Sequence, residues 1–209
     1  YGYNFGGVLQ CFALQQTLKE LGFSNVQVVN CIPNRVKFYL GGLPRKRRIR
    51  TVFDWWLRLR YGRKCRKSFN SFRNKYLNMT AEIERKFLPA LANAFDVLIV
   101  GSDQIWNYRE QANGMFFLDW KPSFKGVKIA YAPCCGKNLV NEKYRASLNK
   151  ALIDFHVLTV RNKETQLFVK NLTGIMPSIV PDPTFLYDFR KYIKKRMIKD
   201  KYIFVYTLG

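Results

Sequence analysis

The sequence predicts an α/β protein built around a largely parallel sheet, and three observations carry that prediction. Apolar runs of strand length recur at residues 97–100, 127–131, 157–160, 178–180 and 202–207. Stretches of helical or loop character, such as 140–152 and 164–172, separate them, and strands alternating with helices pack as a parallel sheet under helical cover. The chain has 209 residues, 48% of them hydrophobic, which is enough to bury a sizeable core.

In chain order the first element is a helix. Val8, Cys11, Leu14, Leu18 and Leu21 recur at spacings of three and four, one face of an amphipathic helix that Gly22 closes as a C-cap. A loop holding Tyr3, Asn4, Gly6 and Gly7 leads into it, and residues 26–29 read as a short strand after it. From 44 to 76 the chain carries thirteen Lys or Arg against the single acid Asp54. Trp55, Trp56, Leu57, Leu59, Phe69, Phe72 and Tyr76 interleave with those charges, a pattern of helices with buried aromatics and solvated cations. The strand-length runs follow. Pro181-Asp182-Pro183 breaks the pattern, a basic stretch covers 190–201, and the run at 202–207 reads as the opening strand of a second α/β unit. The expected organisation is an N-terminal α/β domain over 1–185, its first strand expected ahead of Tyr1. Residues 186–209 are expected to form an interdomain segment and the first strand of a truncated C-terminal α/β domain.

The formal charge of +22 is the extreme feature, and more than half of it falls within residues 44–76. Such a balance suits an anionic partner, either nucleic acid or the headgroups of an anionic membrane. No run of about 18 uncharged apolar residues occurs, so no bilayer-spanning helix is expected. The five cysteines form an odd set without CxxC spacing, and His156 is the only histidine. No metal site is expected from them, and a reduced, cytoplasmic setting fits best.

Four places carry chemistry. A small-residue loop entering a helix presents backbone N–H groups and the positive end of the helix dipole, so Asn4, Gly6 and Gly7 suit a phosphate or carboxylate; the competing reading is a tight turn. Walker A and GxGxxG are both excluded by the glycine spacing. GSDQIWN (101–107) follows a strand, and ligands of open α/β sheets bind beyond the carboxyl ends of strands. Ser102, Asp103, Gln104 and Asn107 would then project into a cleft with Trp106 beside them. Asp103 either hydrogen-bonds a sugar hydroxyl, acts as a base, or caps a following helix. Arg161 ends the strand 156–160, where its guanidinium either forks onto a carboxylate or phosphate or lies on the surface. His156 opens that same strand and reads as structural. Cys134 and Cys135, with no second histidine to activate them, read as small apolar residues in a turn.

Together these motifs resemble the polysaccharide pyruvyl transferase family. YNFGGVLQCFALQ (3–15) resembles its opening motif, with Leu9, Gln10, Ala13, Leu14 and Gln15 in register, and GSDQIWN resembles its most recognisable box. Phe117-Leu118-Asp119, Ala130-Tyr131-Ala132 with Gly136 beyond, Val160-Arg161 and Asp182-Pro183-Thr184 follow in the family's order. Nearly the whole chain is covered except the basic segment. Pro133-Cys134-Cys135 departs from the pattern, since members carry Ala-Ser and an aromatic residue there.

The resemblance implies a Rossmann-like parallel-sheet domain, the N-terminal half of a GT-B-like two-domain transferase. It implies transfer of pyruvate from phosphoenolpyruvate to a sugar of a cell-surface polysaccharide, as in capsule or exopolysaccharide biosynthesis, with no cofactor beyond that donor substrate. Arg161 is then expected at the donor. Asn4, Gly6, Gly7, Gln10, Ser102, Asp103, Gln104 and Asn107 are expected at the acceptor or cleft wall. The family's catalytic histidine belongs to the second half of such proteins, and His156 does not match it. Expected partners are a glycan or lipid-linked saccharide acceptor and the inner face of an anionic membrane, with no specific nucleic acid. Two rivals stand beside this reading: a nucleotide-sugar-dependent GT-B glycosyltransferase, and a basic nucleic-acid-binding module without any RRM, KH, zinc-finger or helix-turn-helix signature.

Overall fold

Asn4 starts the first element, because its extended backbone (φ −112°, ψ 118°) lets its side chain accept from the Gly7 N–H at 3.2 Å. The computed structural model describes residues 4–31, 67–111, 114–137, 139–193, 200–203 and 205. The expectations placed on Tyr3, on 44–66 including Trp55, Trp56, Leu57 and Leu59, and on 206–209 lie outside those residues.

Helix α1 (Phe5–Glu20) ends in a Schellman motif: Gly22 sits at φ +96°, its N–H reaches Lys19 O at 3.0 Å, and Phe23 N–H reaches Leu18 O at 3.2 Å. Its buried surface differs from the expected stripe. Phe12, Ala13 and Gln15 are the most buried residues of the helix, whereas Leu21 is exposed. The cause is a second contact face, on which Phe12 meets Phe72 and Tyr76 of helix α2 (67–76) and Tyr187 and Tyr192 farther along, at ring-centroid distances of 5.4 to 6.0 Å. Residues 26–29 form no ladder. Only Val28 pairs, with Met79, through Val28 N–H to Asn78 O (2.8 Å) and Thr80 N–H to Val28 O (3.0 Å).

The sheet contains β1 (Val97–Val100), β2 (Val127–Ala130), β3 (Val157–Val160) and β4 (Ser178–Ile179), all parallel in the order β1-β2-β3-β4. This is a Rossmann-like α/β arrangement. Helix α3 (Leu88–Ala92) precedes β1, α4 (Arg145–Ile153) joins β2 to β3, and α5 (Lys163–Thr173) joins β3 to β4. Asn162 caps α5 by accepting from Thr165 N–H at 3.1 Å, and Gly174 at φ +77° ends it. Phe168, Val169 and Leu172 recur at helical spacing and turn inward onto Val160, Leu148 and Leu152. Trp106 and Phe117 stack at 5.3 Å within the same core. At the other end of the chain, residues 202, 203 and 205 are not in a strand.

Candidate active site

Parallel strands bring their carboxyl ends to one edge, and here each of the four contributes a polar turn. β1 opens into Gly101-Ser102-Asp103, β2 into Tyr131 to Cys134, β3 into Arg161-Asn162, and β4 into Pro181-Asp182. Backbone bonds zip these turns together: Cys134 N–H to Asp103 O (2.8 Å), Trp106 N–H to Cys134 O (3.2 Å) and Arg161 N–H to Pro133 O (3.1 Å). Gly101 is required by close approach. It lies at φ +129°, and a Cβ there would fall 1.8 Å from Tyr131 O.

Arg161 stands at the centre. Its Nη1 donates to Asp182 Oδ2 at 3.1 Å and reaches Ser102 Oγ at 3.5 Å, while Nη2 lies 3.9 Å from Asp103 Oδ1. One edge of the guanidinium is therefore committed to the protein, and the other faces a carboxylate beyond hydrogen-bond distance. Burial works against the Arg161 charge, but the Cys134 sulfur and Asp182 outweigh it and raise its pKa.

Asp182 accepts four hydrogen bonds: from Thr184 N–H (3.1 Å), Thr184 Oγ1 (2.9 Å), Arg161, and Gln10 Nε2 of α1. Burial pushes its carboxyl upward, yet these donors, led by the Thr184 N–H, hold it below the ordinary carboxylate value. Tyr131 leans over the same turn and donates to Pro181 O at 3.1 Å; burial and the Asp182 charge raise its phenol.

Asp103 is held at φ +79°, in the left-handed region that a non-glycine residue occupies at a cost. The chain beyond it runs through turns and no α-helix, so the helix-cap reading of Asp103 is set aside. Ser102 is buried and donates to Ala132 O at 2.7 Å.

The structure thus brings Ser102, Asp103 and Asp182 together around Arg161, with Gln10 reaching Asp182 from α1. Gly6 and Gly7 are not in a loop but in the first turn of α1, one turn before Gln10, with Asn4 spending its side chain on the Gly7 N–H. Gln104 is exposed, with its amide near Gly136. Asn107 serves its own turn, donating to Gln104 O and accepting from Arg109 and Glu110 N–H. Trp106 does not line a polar cleft; it is fully buried and donates to Phe116 O at 2.9 Å. His156 lies at the opposite end of the sheet, its Nδ1 accepting from Lys128 N–H. Cys134 and Cys135 are buried in the turn after β2, and burial raises the Cys135 thiol. Sequence reasoning missed Asp182 as a site residue, although it follows a strand end just as Arg161 does.

Among the described residues, no helix is long and apolar enough to cross a membrane. No curated protein and no solved structure matches the chain. A family model does: that of the polysaccharide pyruvyl transferases matches residues 4–209. The match covers GSDQIWN, Arg161 and Asp182 alike, and the chain belongs to the polysaccharide pyruvyl transferase family, a family of transferases.

Proposed function

We propose that this chain forms the donor-binding half of a GT-B-like enzyme that moves a pyruvyl group from phosphoenolpyruvate onto two hydroxyls of a sugar in a cell-surface polysaccharide. In that reaction C3 of the enol gains a proton, C2 forms two C–O bonds to the sugar, and its C–O bond to phosphate breaks. One hydroxyl proton balances the protonated carbon, and the other leaves with phosphate or solvent.

The observation that carries the reading is Arg161. Asp182 and Ser102 hold one edge of its guanidinium, and its Nη2 lies 3.9 Å from Asp103 Oδ1, beyond hydrogen-bond distance. That edge suits the carboxylate or phosphate of the donor. Asp103, on the same edge, is suited to a sugar hydroxyl as acceptor or base. Gln10 acts through Asp182, and Gly6 and Gly7 lie one turn before it on α1. The general acid is assigned to the second half of the enzyme.

The cations of residues 44–76 fit a peripheral role at the cytoplasmic face of a membrane that carries a lipid-linked acceptor, at roughly 1 kcal/mol per basic residue near the surface.

The test is phosphate release from phosphoenolpyruvate by the full-length enzyme, with and without a panel of glycan acceptors, followed by mass analysis. Acceptor-dependent release with a pyruvyl ketal product supports the reading. Turnover of a nucleotide sugar with no response to phosphoenolpyruvate rejects it.

A further inference from the structure

Cys134 and Cys135 follow β2 side by side and both are buried, but their surroundings differ. Cys135 belongs to the main hydrophobic core with Trp106 and Phe168, and Cys134 does not. The Cys134 sulfur instead accepts two N–H donors, the Gly136 main chain at 3.3 Å and Asn162 Nδ2 at 3.4 Å. A thiol sulfur is a weak acceptor, so two donors converging on it serve the placement of the turn more than its stability.

What these contacts place is the candidate site. Asn162 directly follows Arg161, and its Oδ1 accepts from the Thr165 N–H at 3.1 Å and from Thr165 Oγ1 at 2.6 Å. Its amide is therefore fixed at both ends, by the first turn of α5 and by Cys134. The Cys134 N–H donates to Asp103 O at 2.8 Å, and its C=O accepts from the Trp106 N–H at 3.2 Å. Asp103 needs such a hold, because it sits at φ +79°. One residue thus secures the Asp103 turn through its backbone and the Arg161 turn through its side chain. The sulfur also acts on the Arg161 guanidinium, in the direction that favours the charged form.

We propose that Cys134 is a positioning residue of the donor site, whose sulfur and N–H hold the Arg161 and Asp103 turns in register so that Nη2 of Arg161 stays 3.9 Å from Asp103 Oδ1. This role rests on the reading of Arg161 as the donor contact. At that separation Nη2 makes no hydrogen bond to the carboxylate and keeps an edge for an incoming anion. Without the sulfur, Asn162 Nδ2 loses its acceptor, and the turn that carries Arg161 can shift toward Asp103, to which its charge is attracted. A guanidinium paired with Asp182 on one edge and with Asp103 on the other has no edge left to fork onto a carboxylate or phosphate. Cys134 thus acts on the donor only through Arg161.

Cys134→Val and Cys134→Ser in the full-length enzyme test it, since valine keeps the bulk and removes the acceptor while serine retains one. Cys134→Ala replaces the valine variant if valine is not accommodated. Cys134→Val is expected to raise the KM for phosphoenolpyruvate roughly tenfold, and Cys134→Ser to stay within about threefold of the parent. An unchanged donor KM in Cys134→Val, or equal rises in the two variants, overturns the role. Side-chain NMR gives a readout that does not depend on the donor: exchange of the Arg161 Nη2 protons with water is expected to slow roughly tenfold in Cys134→Val, as Asp103 takes them. Unchanged or faster exchange overturns the role. A parent enzyme that does not use phosphoenolpyruvate rejects that donor and leaves the role of Cys134 to be decided by the exchange measurement, slowed for and unchanged or faster against.

Discussion

Gly101 turns the chain out of β1 with no room for a side chain, since a Cβ would overlap the Tyr131 carbonyl. Gly101→Ala is expected to cost more than the roughly 1–3 kcal/mol typical of a strained backbone position, read as a thermal midpoint several degrees lower. Arg161→Ala in the full-length enzyme is expected to raise the donor KM by roughly 10- to 100-fold, the worth of a charge-assisted contact, and near-normal donor use would remove Arg161 from the site. Asp182 gives a pH prediction. Its carboxyl is held below its unfolded-state value, so its contribution is present above that value and is lost as pH falls through the folded one. Asp182→Asn should therefore flatten the acid limb of a stability profile measured by denaturant unfolding. At this scale the sequence was legible where a side chain follows a strand, as for Arg161 and Asp103. Asn107 was not, because an amide that holds its own turn and one that holds a ligand leave the same letter in the chain.

At the scale of elements, strand runs of β-branched and apolar residues marked β1 to β3 to within a residue, and the cap residues Asn162 and Gly174 frame α5. Residues 26–29 have the same apolar character but only Val28 pairs, because strand formation depends on a partner, here Met79, that lies far along the chain. Helix α1 shows a related limit. A single amphipathic stripe was expected, while Phe12 is buried on a different side by rings from α2 and the 187–192 turn. In α5 the stripe is simple, and Phe168 is fully buried in the main core. Phe168→Ala is expected to cost about 3–5 kcal/mol, measured as a lower denaturant midpoint at unchanged slope.

At the scale of the whole molecule, the parallel order follows the order of the strands in the chain, which is why alternation alone was enough to read the fold class. The +22 charge is equally legible, and it yields a prediction: binding to vesicles containing anionic lipid should fall steeply as salt rises, with little binding to neutral vesicles. Equal binding to both vesicle types would remove the membrane role. The assembly of the candidate site was not legible, because its members come from every strand end and from α1. Gln10 and Asp182 are 172 positions apart, yet they share a hydrogen bond. That bond closes a far longer loop than the Arg161 contacts to Asp182 and Ser102, which span 21 and 59 positions, so it carries the larger closure entropy of the cluster. A partly opened chain can hold a formed sheet and core with Arg161 already paired to Asp182 across 21 positions while Gln10 has yet to reach that carboxylate, and completion of the site would lag behind compaction.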